Sequence, residues 1–364
     1  MEKYFEFNRK TLINLGFAFD RDEKKFEKFL KVFTLLTVCL MIFQSFVEIG
    51  VQSKSKITIS TISTISVVLY NIQGLAKFMA ILINQRKLCD IKRRLSDFIK
   101  VQDENQMKAR QLQIQRFPWV IKFMYIINIG CVWLFTILAT FALIYTVITH
   151  GNFSKNSIFR RWYPFDEIKY FIPIFIYERI TNHFLTSIHT NLDGFILLLL
   201  GQFCILFQNH GEYFENILNN SMEISNFDNK LKAAIDYHNE LLELSDKLVT
   251  IYEIPLFVNV LNQTSTICFI AFIISTFPLD IAIASFIGLV SSIAQIFILC
   301  WFGDKIKDNS LEIGDKILNS KYQNLNKSQK KSLLLIVMRS QNARYLRGSK
   351  FFNLELSGFT SVKN

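Results

Sequence analysis

The residues best suited to chemistry are the charged and imidazole side chains that interrupt the apolar stretch from Phe171 to Phe207. His183 and His189 stand six positions apart, whereas two metal ligands on one face of a helix need a spacing of three or four. No nucleophile elbow, phosphate-binding loop, zinc-protease helix or dinucleotide fingerprint occurs in the chain. We therefore predict no enzyme activity, no metal site and no cofactor. Polar groups at this density indicate that the helix faces the interior of a bundle or protrudes beyond the bilayer.

Two charges lie deep within apolar stretches and could neutralise each other. Lys77 follows Ile57 by 20 residues and Asp193 follows Ile172 by 21, and both helices are expected to run in the same direction. The two side chains then lie at nearly the same depth in a bilayer. Because a lone charge at that depth costs several kcal/mol, we predict a contact between Lys77 and Asp193, with Lys122 and water as competing partners.

These residues need long membrane helices to position them. Hydrophobic residues make up 51% of the 364, with 36 Phe, 13 Gly and 5 Pro, which excludes a disordered or collagen-like chain. An apolar helix of about 20 residues crosses roughly 30 Å of hydrocarbon. Five runs reach this length, and the stretch from 171 to 207 makes a sixth. The five are Leu30–Ile49, Ile57–Ile83, Trp119–Ile148, Ile254–Phe277 and Leu279–Phe302.

The distribution of Lys and Arg orients these spans. The predicted loops on one side hold 26 of these residues and the loops on the other side hold six, and positive charge collects in cytoplasmic loops. We therefore place the amino terminus in the cytoplasm. The glycosylation sequon at Asn152 falls in a loop assigned to the outside. Topology and anionic lipid, rather than nucleic-acid binding, then explain the net charge of +11.

Two polar stretches on the cytoplasmic side have helical periodicity. They run from Asn229 to Thr250 and from Tyr322 to Arg344, and they either pack on each other or supply a surface for subunit association. The predicted divisions of the chain are a cytoplasmic amino terminus (1–29), four spans (30–208), a cytoplasmic helical region (209–253), two spans (254–302), a second cytoplasmic helical region (303–350) and the start of a last span (351–364).

Several motifs resemble those of insect odorant receptors. The stretch Trp162-Tyr163-Pro164-Phe165-Asp166 looks like the W-Y-P-F-D that opens the fourth helix of that family, and Asp193 matches an acidic position in the same helix. We expect structural roles for Trp162 and Pro164. The carboxyl-terminal third resembles the Y-C-W-x-G motif with its downstream Ser, and then the closing pattern of the family. The matching segments are Leu299-Cys300-Trp301-Phe302-Gly303, Asn309-Ser310, Met338-Arg339-Ser340-Gln341, Gly348-Ser349-Lys350-Phe351-Phe352, Leu354-Glu355-Leu356 and Phe359-Thr360-Ser361-Val362.

This resemblance implies an all-α membrane protein, a seven-helix subunit of a ligand-gated, nonselective cation channel. Such subunits assemble with a shared co-receptor into tetramers in sensory-neuron membranes. The ligand sits in the outer half of the bundle among helices two to six, and the second half of helix seven lines the pore. The expected partners are a small volatile ligand, the co-receptor and membrane lipid, but no nucleic acid. The predicted ligand-binding residues are Thr61, Ile65, Phe141, Tyr145, Tyr177, Thr181 and Phe184.

Two other receptor classes and one departure from the family bear on this prediction. A gustatory receptor of the same superfamily would carry T-Y-x5-Q-F near the carboxyl terminus, which is absent. A G-protein-coupled receptor would need its amino terminus outside, and neither D-R-Y nor N-P-x-x-Y occurs.

The stretch from Phe351 to Asn364 would give a helix about 21 Å long, short of the roughly 30 Å core. We therefore expect the final pore helix to be incomplete in this sequence.

Overall fold

The computed structural model describes residues 24–52, 59–100, 161–221, 226–276, 279–349 and 352–357, with isolated positions at 13, 16 and 17 and between 123 and 148. Within these residues the chain is all-α, as predicted, and one β-bridge joins Arg347 to Asn353. The helices are α1 (Lys25–Gln52), α2 (Ile59–Lys100), α3 (Phe171–Asn219), α4 (Phe227–Thr276), α5 (Leu279–Leu318) and α6 (Lys327–Ser340), with a 3₁₀ turn at Tyr322–Asn324 before α6.

Five of these helices, α1 to α5, are long and apolar enough to cross a membrane. They contain five of the six predicted spans. The sixth, Trp119–Ile148, lies mostly outside the described residues, although every described position between 123 and 148 is helical. The predicted glycosylation site at Asn152 also lies outside the described residues, as do positions 358–364 of the last predicted span.

Four helices, α2 to α5, continue well beyond their predicted spans. The 50 residues of α4 make a helix about 75 Å long, more than twice the roughly 30 Å hydrocarbon core. The amphipathic helix predicted from Asn229 to Thr250 and the span predicted from Ile254 are therefore one element, with Pro255 inside it. Likewise, α2 continues to Lys100 across the non-helical backbone of Asn84. Neither junction contains a sequence signal that must end a helix. A single Pro or Asn is tolerated within a long packed helix.

The centre of the bundle is α3. Its most apolar part is 94% buried, whereas the corresponding parts of the other four candidate spans are 17–44% buried. It packs against α2, α4 and α5, and the rings of Phe195, Phe203 and Phe207 are fully buried along it. Because protein rather than lipid surrounds α3, polar side chains can find partners there. Of the two alternatives for this polar helix, the one that faces the bundle interior is confirmed.

The two predicted amphipathic helices contact each other at one end of the bundle. Arg339 of α6 donates a hydrogen bond to Asn239 of α4, and Nη1 of Arg344 lies 2.8 Å from Oδ1 of Asp246. The predicted packing of these helices on each other is confirmed, and a role in subunit association stays a prediction. We call the end of the bundle that carries Arg94, Arg339 and Arg344 the basic end.

The segment after α6 folds back onto α5 at Gly303. A Cβ atom at Gly303 would overlap the carbonyl oxygen of Leu354, whose amide donates to the carbonyl of Leu346 at 2.8 Å. Beside this contact, Nζ of Lys307 donates to Oε2 of Glu355 at 3.0 Å. The motif glycine is thus needed for close backbone approach.

Candidate functional site

A cavity of about 280 Å³ lies between α2, α3, α4 and α5. Ligand pockets in proteins typically occupy roughly 300–1,000 Å³, so this cavity suits a small molecule. Four helices and the third predicted span contribute to its walls. Its apolar walls include Val67, Tyr70, Leu185 and Ile270, and its polar groups include Ser66, Asn71, Thr136, Asn262, Gln263 and Gln295.

A larger groove of about 800 Å³ runs between α2 and α4, nearer the basic end. Only these two helices line it in the described part of the chain, and Lys87, Asp246 and Lys247 are among its walls. A cavity shared by four helices lets one small molecule contact more of the bundle than a groove between two helices. The smaller cavity is therefore the candidate ligand site.

Several polar side chains of the cavity already have partners. The hydroxyl of Ser66 donates to the carbonyl of Ile62, 3.1 Å away and one turn earlier on α2. Nε2 of Gln263 donates to Oε1 of Gln295 at 2.5 Å, which joins α4 to α5. These groups satisfy each other or their own helix, so they need no ligand.

Two asparagines retain unused hydrogen-bonding capacity. Asn71 is 1% exposed, and neither Oδ1 nor Nδ2 of its amide has a partner among the described residues. Asn262 is 4% exposed; its Nδ2 donates to Oε1 of Gln73, but its Oδ1 has no partner within the same part of the chain. Both side chains line the cavity. Buried amides normally complete their hydrogen bonds, so these atoms are available to a molecule in the cavity.

A row of buried polar groups leads from the cavity to the predicted ion pair. Gln73 accepts from Asn262 and donates to Oδ1 of Asn259, which also accepts from Nζ of Lys77 at 3.3 Å. Nζ of Lys77 lies 2.5 Å from Oδ1 of Asp193, so the predicted contact is confirmed. Spacings of four on α2 and three on α4 place these residues on facing sides of the two helices.

Next to the cavity, α2 crosses α3 at close range. A Cβ atom at Gly74 would overlap the imidazole of His189. The same imidazole stacks on the ring of Tyr70, with centroids 3.9 Å apart. His189 is thus a packing residue at a helix crossing. Among the described residues, no three His, Cys, Asp or Glu side chains form a group that could hold a metal ion.

The motif before α3 closes the end of the bundle opposite the basic end. The backbone N–H of Trp162 donates to the carbonyl of Gln44 in α1 at 3.3 Å. Arg161 is 2% exposed and donates to the hydroxyl of Thr181 at 3.0 Å. Pro164 is exposed at the turn that follows. The contact of Trp162 is made by its backbone, so structural roles for the side chains of Trp162 and Pro164 stay predictions.

None of the seven predicted ligand-binding residues, all of which are among the described residues, lines the cavity. Phe141 and Tyr145 are 66% and 69% exposed, and their role in ligand binding stays a prediction. The hydroxyl of Thr181 is occupied by Arg161, and Phe184 packs against the core. The others, which are Thr61, Ile65 and Tyr177, lie on helices that line the cavity but at other positions.

The described residues of the third predicted span show which of its faces meets the cavity. Its described apolar residues, including Trp133, Ile137 and Ile144, share the exposed face with Phe141 and Tyr145. Thr136 turns inward to the cavity instead. Apolar side chains gain nothing by leaving lipid, whereas polar ones gain hydrogen bonds inside. The sequence feature that points to the site is therefore the set of Asn, Gln and Thr residues within apolar runs.

Comparison with known sequences adds a family relationship. The model of the family described as 7tm Odorant receptor matches residues 58–364. Odorant receptor 67c of Drosophila melanogaster is 28% identical over 221 residues, which are 60% of this chain and 55% of that receptor. The alignment thus spans about half the length of that relative. Odorant receptor 85c of the same species is 22% identical over 341 residues, which are 90% of this chain and 86% of that receptor.

Comparison with solved structures shows the fold. The insect olfactory receptor OR5 from Machilis hrabei superimposes with a TM-score of 0.85 at 17% identity, covering 99% of this chain and 94% of that one. The same receptor in complex with eugenol superimposes with a TM-score of 0.78 at 18% identity, covering 99% and 95%. The bundle described above is therefore similar in fold to that receptor.

Proposed function

Because the chain belongs to the 7tm odorant receptor family, we propose that it is the odorant-binding subunit of a ligand-gated, nonselective cation channel. This proposal rests on the cavity of about 280 Å³ that four helices of the bundle share. Its mixed walls suit a small, largely apolar molecule with a polar group. The complex of OR5 with eugenol supports a small-molecule ligand for this fold.

A ligand in the cavity contacts α2, α3, α4 and α5 together. A molecule that fits one arrangement of these helices better than another shifts the population toward that arrangement. The long helix α4 extends from Asn262 at the cavity to the contacts of Asp246 at the basic end. We infer that this helix and the polar row that ends at Lys77 transmit ligand occupancy toward the pore.

The same proposal includes partners and location. We place the subunit in the cell membrane of a sensory neuron, with its amino terminus in the cytoplasm, in a hetero-tetramer with a shared co-receptor. A charged groove of about 570 Å³ at the basic end, lined by Arg94, Glu240 and Asp246 among others, is a surface that a neighbouring subunit could contact. No observation favours a gustatory receptor or a G-protein-coupled receptor over this assignment.

The test fills the cavity and measures ligand-evoked current. Ser292 lines the cavity and is 6% exposed, so Ser292→Phe puts a ring into the ligand space. In cells that also express the co-receptor, we expect this variant to lose sensitivity to a panel of volatiles, eugenol included, by about tenfold or more, which corresponds to an overpacking cost of about 1–3 kcal/mol.

The matched control is Val290→Phe on the same helix, because Val290 is 48% exposed and faces away from the cavity. At equal surface expression its response should stay within about twofold of the unmodified chain. An unchanged response in Ser292→Phe would contradict the assignment of this cavity. The currents are recorded with a family carboxyl terminus grafted after Val362, and the absence of any ligand-evoked current in that grafted chain would contradict the channel assignment.

A further inference from the structure

The unused hydrogen-bonding atoms of the cavity define what a ligand must offer. Asn71 presents one donor, Nδ2, and one acceptor, Oδ1, while Asn262 presents one acceptor, Oδ1. Both side chains are more than nine-tenths buried. A buried amide without a partner is costly, so a ligand that supplies both a donor and an acceptor gains most. A hydrocarbon supplies neither, and an aldehyde supplies only an acceptor.

The charged side chains near the cavity further restrict the class of ligand. Lys77 lies one and a half turns from Asn71 on α2, and Arg179 is among the walls of the cavity. Two nearby positive charges disfavour a cationic ligand. Arg179 already lies 3.6 Å from Glu178 and over the ring of Phe175, with its guanidinium carbon 5.1 Å from the centroid. Because Glu178 balances its charge, the site does not require an anionic ligand. The buried Nε of Arg179 has no partner among the described residues and is a further donor for an acceptor on the ligand.

We propose that the cavity selects small neutral molecules that carry a hydroxyl group, and that Asn71 and Asn262 bind that group. The hydroxyl donates to Oδ1 of either asparagine and accepts from Nδ2 of Asn71. The rest of the molecule packs against Val67, Leu185 and Ile270. This inference rests on the proposed function, because it names the chemical class of odorant that the same cavity binds.

The experiment compares probes of similar size that differ in their polar group. The full chain is purified into lipid nanodiscs, and binding of hexan-1-ol, hexanal, heptane and hexanoic acid is measured from the rise in unfolding temperature, with lipid-only discs as the blank for partitioning. We expect hexan-1-ol to bind at least about tenfold more tightly than hexanal or heptane, the size of effect expected from a completed hydrogen bond at a buried amide.

The key variant is Asn71→Leu, which keeps the side-chain volume and removes both polar atoms. This variant should weaken the binding of hexan-1-ol about tenfold. It should change the binding of heptane by less than about twofold. The matched control is Asn216→Leu, the same change at an exposed asparagine of α3 that does not line the cavity. This control should keep the preference for the alcohol.

Each outcome is decisive. Equal binding of hexan-1-ol, hexanal and heptane to the unmodified chain would overturn this inference and leave the odorant-binding proposal standing. Tightest binding of hexanoic acid would make Arg179 the anchor and would also overturn it. If no probe stabilises the chain, both the inference and the proposed use of this cavity are wrong. The ranking of probes on the unmodified chain decides the matter even if Asn71→Leu does not fold.

Discussion

The charge on Lys77 shows how single residues are accommodated inside this bundle. Its side chain is 1% exposed, and it contacts both Asp193 and Asn259. Asp193 is less enclosed, with 22% of its side chain exposed. The depth of each residue follows from a fixed rise of about 1.5 Å per residue along two helices, which is why the sequence alone predicts this pair.

Removing one partner of this pair should have unequal effects. Asp193→Asn leaves a fully buried lysine without its counter-charge, and we expect a loss of about 3–5 kcal/mol in the free energy of unfolding. Lys77→Met should cost less, because the remaining carboxylate of Asp193 is partly exposed. Denaturant unfolding of the purified chain in detergent measures both.

The double variant Lys77→Met with Asp193→Leu is the informative partner, because replacing a buried ion pair by apolar residues is often neutral. It should recover most of the lost stability. As a control, Lys87→Met alters an exposed lysine of the same helix and should change stability by less than about 0.5 kcal/mol. Additive losses in the double variant would show that the two charges do not stabilise each other.

Gly303 offers a second test at a single residue. Its missing side chain leaves room for the carbonyl of Leu354, and backbone cannot move aside as a flexible side chain can. Gly303→Ala should therefore release the segment after α6, at a cost of about 1–3 kcal/mol. Limited trypsin digestion reports the change, because Arg347 is exposed within that segment and should be cut faster.

Gly50 is the matched control for the test at Gly303. A Cβ atom there meets nothing within 4 Å, so Gly50→Ala should leave trypsin cleavage at Arg347 unchanged and add up to about 1 kcal/mol of helix stability. Identical digestion of the Gly303→Ala variant and the unmodified chain would mean that the contact with Leu354 does not hold the segment in place.

The helices as elements were predicted better than their rotation and joins. Long apolar runs identified α1 to α5 because a bilayer sets the length that a span needs. The same composition does not show which face of a helix meets lipid, and the predicted ligand-binding residues Phe141 and Tyr145 are largely exposed. Nor could it show that α4 passes through Pro255 without a break, since a proline ends some helices and is packed into others.

The cap of α6 gives a prediction for an element. Oδ1 of Asn326 accepts from the N–H of Gln329, and Oε1 of Gln329 accepts from the N–H of Asn326, both at 2.9 Å. Asn326→Ala removes one half of this capping box and should cost about 0.5–2 kcal/mol. Hydrogen exchange at the first turn of α6 should accelerate accordingly. Asn326→Asp, which keeps an acceptor, should protect the turn nearly as well; equal acceleration in both variants would contradict the cap.

The whole molecule combines a buried central helix with an outer layer that faces lipid. That arrangement has the fold of OR5 at only 17% identity, because a bundle needs apolar length and a few internal polar contacts more than particular side chains. The ligand-contacting residues are free to differ within such a frame. This is why the resemblance of motifs predicts the family, while the residues of the cavity had to come from the structure.

Orientation is the prediction that concerns the molecule as a whole. Because 26 of the Lys and Arg residues in predicted loops lie on one side and six on the other, the amino terminus should be cytoplasmic. An epitope placed there should bind antibody only after the cells are permeabilised. If the loop at Asn152 lies outside, enzymatic deglycosylation should shift the electrophoretic mobility of the unmodified chain. It should not shift that of Asn152→Gln. Antibody labelling of intact cells would reverse the assigned topology.

The ion pair between Lys77 and Asp193 also has a consequence for biosynthesis. The two residues are separated by roughly 116 positions, which ribosomes translating at about 5–20 residues per second cover on the order of 6–23 s. Throughout that interval the second helix is already made, while the carboxylate that neutralises its lysine has yet to be synthesised. The contact that stabilises the finished receptor therefore leaves a solitary charge at the membrane during translation, and any pause between these two codons prolongs that exposure.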